Sequence, residues 1–238
     1  MDYLESFIYK FVSSNSSQAV VFVSGMGLDV REQREIFIRR VALKQQVSYL
    51  ALDCNQMSMT GKSIPSLADH CQTIIQEKLP EKDLFFVGFC FGANVALRLA
   101  NKFAEKTKSV LLSSPLIDYS TPSIFESSQM NRKNKILITR PQLAEEFQKL
   151  ILLKQLIDFY MPGLKPEPQQ YQGTIQIIHP QKDRFVPVEN SEQMVRYLNR
   201  SNVELSVLPN ETHTLTNDFQ LKIPTMFLQK ALENCRAD

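Results

Sequence analysis

The chain of 238 residues carries 27 basic and 25 acidic side chains, and 43% of its residues are hydrophobic. This length fits one large α/β domain, and a net charge of +2 without a basic stripe argues against a nucleic-acid partner. No segment approaches the roughly 18 apolar residues of a membrane span, and the N-terminus lacks signal-peptide features, so we expect a soluble cytoplasmic protein.

Short apolar runs alternate with amphipathic stretches along the chain. A loose alternation over 4–12 predicts an early strand, and the continuous apolar run 19–23 predicts a strand buried on both faces. Further strands are predicted over 47–52, 84–87, 109–112, 175–178 and 203–207. Helices are predicted over 29–43, 65–79, 93–106, 189–198 and 219–233. This order predicts an α/β fold with a mostly parallel sheet covered by helices on both faces.

Residues 116–172 interrupt this alternation. They carry no strand signal, a helical pattern over 141–160 and a proline-rich exit. Because structureless insertions of this length are uncommon, we predict a helical lid inserted into a single domain covering 1–238. Phe147 and Tyr160 are predicted to bind substrate in an acyl pocket under this lid. The alternative is that the segment only completes the core.

Gly88, Cys90 and Gly92 form a G-x-C-x-G pattern directly after a predicted buried strand and directly before a predicted helix. This is the context of a nucleophile elbow, a strained turn that lifts its central side chain to the edge of the sheet. Glycine at both flanks avoids the collisions that side chains would cause there. The amides and dipole at the start of the helix favour a thiolate. The pattern therefore predicts Cys90 as the nucleophile.

The other cysteines have no such context. All four cysteines lie far apart and form no C-x-x-C pair, so we expect reduced thiols and not a disulfide framework. Free cysteines most often act as small buried hydrophobes. We expect that role for Cys54, Cys71 and Cys235.

A thiol nucleophile needs a base, and His213 follows a predicted strand and a short loop and precedes a predicted helix. Loops at the carboxyl ends of parallel strands meet in one crevice, so His213 is expected within reach of Cys90. His70 is predicted on the surface. His179 is predicted at a pocket mouth and is an unsuitable base.

Asp183 lies in the loop after the penultimate predicted strand, in a D-x-x-V-P setting. A carboxylate there would accept the second imidazole N–H, fix the tautomer and stabilise the imidazolium. We therefore predict Asp183 as the acid of a catalytic triad. Asp118, which follows the predicted strand 109–112, is the competing assignment.

An oxyanion hole is predicted from two backbone amides. One belongs to Phe91, directly after Cys90, and the other to Met26 in the first βα loop. The loop, residues 24–27, has the sequence Ser-Gly-Met-Gly, which also fits a simple tight turn. A phosphate-binding loop is disfavoured, because no further glycine or lysine pattern follows.

On these motifs the chain resembles the α/β-hydrolase superfamily over essentially its whole length. The stretch from the Ser66-Leu67-Ala68 pattern to the elbow is similar to the thioesterases of polyketide and nonribosomal peptide assembly. Those enzymes carry serine where this chain has Cys90, and their first loop has histidine where this chain has Ser24. A cysteine elbow is similar to dienelactone hydrolases and to polyhydroxyalkanoate synthases, although the synthases are much longer.

The resemblance implies covalent acyl transfer by a Cys-His-Asp triad, most simply as a thioesterase, without a metal or an organic cofactor. The expected partner is a small-molecule acyl thioester or ester, free or bound to coenzyme A or a carrier protein. The sequence carries no signal for an oligomeric state. Alternatives are an ester or lactone hydrolase, an acyltransferase to an acceptor other than water, and a non-catalytic ligand-binding relative.

Overall fold

The computed structural model describes residues 9–25, 33–54, 64–117, 170–183, 186–209, 211, 213 and 218–235. The strands are β1 (Tyr9–Val12), β2 (Gln18–Val23), β3 (Ser48–Leu52), β4 (Asp83–Phe89), β5 (Thr107–Ser113), β6 (Thr174–Pro180) and β7 (Val203–Leu208). The helices are α1 (Gln33–Lys44), α2 (Ile64–Lys78), α3 (Phe91–Lys102), α4 (Val188–Leu198) and α5 (Asp218–Asn234).

Within this part of the chain, seven strands form one sheet in the order β1-β3-β2-β4-β5-β6-β7. β1 is antiparallel to β3, and every other neighbouring pair is parallel. The chain moves from β2 towards one edge and from β4 towards the other. In open α/β sheets the crevice outside the carboxyl ends of two such strands is the usual ligand site. The predicted mostly parallel α/β architecture is confirmed.

Each buried strand contributes to two cores, because successive side chains of a strand point to opposite faces of the sheet. On one face, Val21 and Phe86 pack in a cluster that includes apolar residues of α2, α3 and α4. On the other face, Phe22, Phe85 and Phe89 pack in a cluster with residues of α1 and α5. Helices on both faces explain why these strands are almost continuously apolar.

Several elements differ from their predicted bounds near the carboxyl edge of the sheet. β4 continues to Phe89, because it stays in register with β5 as far as the Phe89–Ser113 pair. α3 begins at Phe91 and ends at Lys102, earlier at both ends than the sequence pattern predicts. It ends early because the Phe103 carbonyl accepts the amides of Lys106 and Thr107, and this turn starts β5.

The start of the predicted lid segment is anchored to two sheet-covering helices, α3 and α4. After β5, the Leu116 amide donates to Asn94 Oδ1 at 3.0 Å, and the Ile117 amide donates to Asn190 Oδ1 at 3.2 Å. The chain therefore leaves the sheet at the carboxyl edge of β5, beside the elbow, and it returns to the amino end of β6. Three predicted site residues in the segment lie outside the described residues: Asp118, Phe147 and Tyr160.

Among the described helices, none is both long enough and apolar enough to cross a membrane.

Candidate active site

Cys90 occupies a sharp turn between β4 and α3. Its φ of 52° and ψ of −123° are sparsely populated for a residue with a side chain, and such a conformation costs about 1–3 kcal/mol. The Cys90 amide donates to the Ser113 carbonyl at 2.8 Å, and the Cys90 carbonyl accepts the Ala93 amide at 2.9 Å. These bonds tie the turn to the neighbouring strand and to the first turn of the helix. They hold Cys90, which is 4% exposed, at the carboxyl edge of the sheet.

The flanking glycines are required by close backbone approach. A Cβ atom at Gly88 would lie 2.5 Å from the Gly92 carbonyl oxygen and 2.6 Å from the Ala93 Cα. A Cβ atom at Gly92 would overlap the carbonyl oxygens of Val23 and Ser24 at the end of β2. The G-x-C-x-G pattern therefore lets α3 pack directly on the ends of two central strands.

His213 and Asp183 form a short hydrogen bond at the same edge of the sheet. The His213 Nδ1–H donates to Asp183 Oδ2 at 2.6 Å, and the Asp183 side chain is fully buried. Asp183 also accepts the Val186 amide at Oδ1 (2.8 Å) and the Ser114 hydroxyl at Oδ2 (2.9 Å). Burial opposes ionisation of this carboxyl, but the His213 contact and the Val186 amide outweigh it and lower its pKa. Among the described residues, His213, Val186 and Ser114 therefore hold Asp183 as a carboxylate.

The other side of the His213 ring faces Cys90. Burial disfavours a charged ring, but the charge of Cys90 and hydrogen bonds to Asp183 and Cys90 outweigh it and raise the pKa of His213 to about 10. Because Nδ1 is hydrogen-bonded to Asp183, Nε2 is the ring nitrogen that is available to the Cys90 sulfur. The structure thus brings together Cys90, His213 and Asp183, three residues that the sequence analysis singled out from distant segments.

His179 does not lie at a pocket mouth, and that expectation was wrong. It is fully buried, with Nε2 2.9 Å from the Val186 carbonyl and Nδ1 2.6 Å from Ser191 Oγ. Burial lowers its pKa, so the ring is neutral. A carbonyl only accepts, so Nε2 carries the proton and Nδ1 accepts from the Ser191 hydroxyl. His179 therefore braces Val186, whose amide in turn holds Asp183.

Ser114 is a contact of the acid that the sequence analysis missed. It is buried, it has a φ of 49°, and its hydroxyl donates to Asp183. Its amide donates to the Ile178 carbonyl at 3.0 Å, which ties the end of β5 to β6. The available signal was the Ser113-Ser114-Pro115 run at the carboxyl end of a predicted strand. Polar residues there face the crevice.

The predicted oxyanion hole is described only in part. Phe91 is the first residue of α3, and it is buried. Met26 lies outside the described residues. The loop that leads to it starts at Ser24, whose hydroxyl donates to Asp53 Oδ1 at 3.4 Å and accepts the Cys54 amide at 3.2 Å. These bonds fasten the end of β2 to the end of β3.

A cavity of about 300 Å³ lies elsewhere, beneath the C-terminal half of α5 and against the amino-terminal halves of the central strands. Lys108, Glu204 and Cys235 are among its lining residues, and none of Cys90, Asp183 and His213 borders it. We assign the site to the opposite edge, because the paired ionisable groups lie there.

The sheet order, the strained turn after β4, and an acid and a histidine from later βα loops define an α/β hydrolase. Solved structures with this fold cover nearly the whole chain. They include mouse alpha/beta hydrolase domain-containing protein 10 (TM-score 0.71, 12% identity, 97% of this chain and 98% of that one). A monoacylglycerol lipase from Paleococcus ferrophilus has a TM-score of 0.66 at 16% identity, with 96% and 99% of the two chains covered. Est1E from Butyrivibrio proteoclasticus has a TM-score of 0.62 at 14% identity, with 94% of each chain covered.

The model of the thioesterase domain family matches residues 41–184. The chain therefore belongs to the thioesterase domain family, and it is a hydrolase of the ester and thioester type within the α/β-hydrolase superfamily. A search of curated protein sequences finds no match.

Proposed function

We propose that the protein is a thioesterase that cleaves an acyl thioester, or a related ester, through a covalent intermediate on Cys90. One observation carries the proposal: the His213 ring has the Asp183 carboxylate on one side and the Cys90 thiol on the other. In such an arrangement the histidine moves protons for the nucleophile, and the carboxylate fixes its tautomer. Membership of the thioesterase domain family supports the substrate class.

In the first half-reaction, Cys90 Sγ attacks the acyl carbonyl carbon, and the bond from that carbon to the leaving sulfur or oxygen breaks. His213 gives its Nε2 proton to the leaving group, and the acyl group remains on Cys90 as a thioester. The negative charge on the carbonyl oxygen is met by the amides of Phe91 and Met26.

In the second half-reaction, His213 takes a proton from water, and the water oxygen attacks the same carbon. The bond to Cys90 Sγ breaks, the carboxylic acid leaves, and His213 keeps the proton taken from water, which restores the cysteine–histidine pair. The raised pKa of His213, about 10, suits this role because the ring is protonated at neutral pH and can act as the acid at once. Asp183, whose pKa is lowered, stays ionised throughout.

The acyl group is proposed to arrive on coenzyme A or a carrier protein and to lie under the lid against Phe147 and Tyr160. A cytoplasmic location is part of the proposal. The four cysteines are free thiols, as a reducing compartment would keep them.

The test is turnover of acyl-coenzyme A, acyl-carrier thioesters and simple aryl esters by the purified protein. Cys90→Ala is expected to abolish turnover, and Cys90→Ser to lose most of it, because the site suits a larger and more polarisable thiolate. Mass spectrometry should find an acyl adduct on Cys90 during turnover. Turnover retained by Cys90→Ala would contradict the covalent mechanism.

Alkylation by iodoacetamide separates the catalytic proposal from a ligand-binding relative. The measurement uses a Cys235→Ala background, since Cys235 is the half-buried cysteine and would otherwise add signal. Cys90 is expected to react well below pH 8, and more slowly after His213→Ala. An inert Cys90 together with no turnover would favour the binding relative. Amide or ester products from added amines or alcohols would favour an acyltransferase.

A further inference from the structure

Arg34 is a buried cation of the first turn of α1. It is the second residue of α1, and only 2% of it is exposed. Burying a cation has a desolvation cost that its contacts must offset. A positive charge in the first turn of a helix is also disfavoured by the helix dipole. The contacts of Arg34 therefore indicate what this arginine does.

Two contacts of Arg34 lead to the candidate active site. Its Nη2 donates to the backbone carbonyl of His213 at 3.3 Å. Its guanidinium carbon lies 5.0 Å from the centroid of the Phe89 ring, a cation–π distance. Phe89 is the last residue of β4 and directly precedes Cys90. One rigid planar group therefore contacts the main chain of the proposed base and the residue before the proposed nucleophile.

We propose that Arg34 is a positioning residue that holds the His213 main chain in register with the elbow, an inference that rests on the proposed function. The His213 ring must keep Nδ1 2.6 Å from Asp183 and also turn Nε2 towards Cys90. The ring satisfies both only if its backbone is fixed. On the acid's side, the Lys182 amide donates to the Glu211 carbonyl at 2.8 Å. Arg34 fixes the histidine from the α1 side.

The chemistry of this position favours arginine over lysine. A guanidinium stacks its plane on an aromatic ring while its edge donates to a carbonyl. An ammonium group is a point charge that stays strongly hydrated and does not stack. Arg34→Lys therefore keeps the charge and loses the geometry, and Arg34→Met keeps much of the apolar stem and loses both.

The test compares Arg34→Met and Arg34→Lys with Arg39→Met. Arg39 is on the same helix, contacts Glu35 Oε1 at 3.5 Å, and is a third exposed. We expect Arg34→Met to lower kcat by roughly 10- to 100-fold with little change in KM, since small misplacements of catalytic groups have effects of that size. The alkylation rate of Cys90 at neutral pH should fall as well. Arg34→Lys should show a smaller loss, and Arg39→Met should leave kcat and alkylation unchanged.

A spectroscopic signal separates positioning from general damage. The Nδ1 proton in the short His213–Asp183 bond should give a far-downfield proton resonance, which Arg34→Met and Arg34→Lys should shift or broaden and Arg39→Met should not. A folded Arg34→Met with wild-type kcat, alkylation and resonance would overturn the inference. If Arg34→Met does not fold, the same three wild-type values in Arg34→Lys would overturn it. Absence of turnover in the wild type would instead overturn the proposed function, and alkylation and the resonance would still test Arg34.

Discussion

Two histidines of this chain show how neighbours decide what an imidazole does. His213 and His179 both lie near Asp183, with ring nitrogens 2.6 and 3.6 Å from its Oδ2. The pKa of His213 is raised to about 10, because the Cys90 charge and the hydrogen bonds to Asp183 and Cys90 outweigh burial. The pKa of His179 is lowered, because burial dominates and its bonds are to a hydroxyl and a carbonyl. The His213 ring is therefore suited to proton transfer, and the His179 ring is suited to holding Val186 in place.

The residue-scale prediction concerns the acid. Asp183→Asn removes the charge opposite His213 and offers an N–H where an acceptor is needed, so kcat should fall by up to ~10⁴, the loss known for triad acids. Cysteine–histidine pairs can depend less on their third member, which makes ~10⁴ the upper end. Steady-state kinetics on the best thioester measures this, with Asp118→Asn as the matched control. Greater damage from Asp118→Asn would reverse the assignment of the acid.

At the scale of elements, the elbow is a contact between three backbones. β4 ends at Phe89, α3 begins at Phe91, and the end of β2 lies against Gly92. The strained φ of Cys90 persists because the Ser113 carbonyl accepts the Cys90 N–H and the Ala93 amide donates to the Cys90 carbonyl. The Cys90 side chain therefore lies at the junction of rigid elements and not in a loop.

Enlarging an elbow glycine should disturb this junction. Gly92→Ala and Gly88→Ala introduce overlaps with main-chain atoms, so we expect a loss of about 1–3 kcal/mol in the free energy of unfolding and slower alkylation of Cys90. Gly173→Ala is the control, because its overlap is with the Tyr171 ring, in the segment before β6. It should lower stability in a urea titration without changing alkylation. Normal alkylation in folded Gly92→Ala would argue against a rigid elbow.

The lid prediction also belongs to this scale. The segment follows β5, the strand next to the elbow, and we propose that it forms a lid above Cys90. Phe147→Ala and Tyr160→Ala should then change the preferred acyl chain length more than they change stability. A series of acyl-coenzyme A substrates and a thermal melt measure the two effects. Uniform destabilisation with unchanged chain-length preference would mean that the segment is core.

At the scale of the whole molecule, the shifted pKa values of His213 and Asp183 make the free energy of unfolding depend on pH. The folded pKa of His213, about 10, lies above its ordinary value of 6.5. The folded state therefore holds the proton more tightly, and the contribution of His213 is complete below about 6.5 and is lost as the pH rises through about 10. Asp183 contributes in the opposite direction, because its pKa is lowered in the folded state. Its contribution to stability is complete above its ordinary pKa and is lost as the pH falls into the acid range.

Urea unfolding at about pH 8 and about pH 10 should show a larger loss of stability in the wild type than in Cys90→Ala. The variant lacks the charge that contributes most to raising the pKa of His213, so its ring has released its proton at a lower pH. Other groups that titrate in this pH range affect both proteins equally. The difference between the two losses of stability therefore reports the coupling of Cys90 and His213. Equal losses in the two proteins would show that Cys90 and His213 are not coupled.

The order of βα units and the three residues of the candidate triad could be predicted from the sequence alone. Apolar runs reveal strands that are buried on both faces. The elbow is visible in a short stretch of sequence, because the close backbone approach around Cys90 requires glycine at neighbouring positions. The order of Cys90, Asp183 and His213 was sufficient to propose partners, because carboxyl-end loops of a parallel sheet converge.

The tertiary structure alone decided what surrounds those residues. Ser114 reaches Asp183 across 69 positions, and Arg34 reaches His213 across 179, and no local pattern encodes such contacts. His179 was misjudged for the same reason, since a histidine at a strand end has no sequence signal for the Ser191 and Val186 contacts that bury it. Periodicity reports which face of an element is apolar, and the partner of a polar side chain depends on which elements the fold brings together.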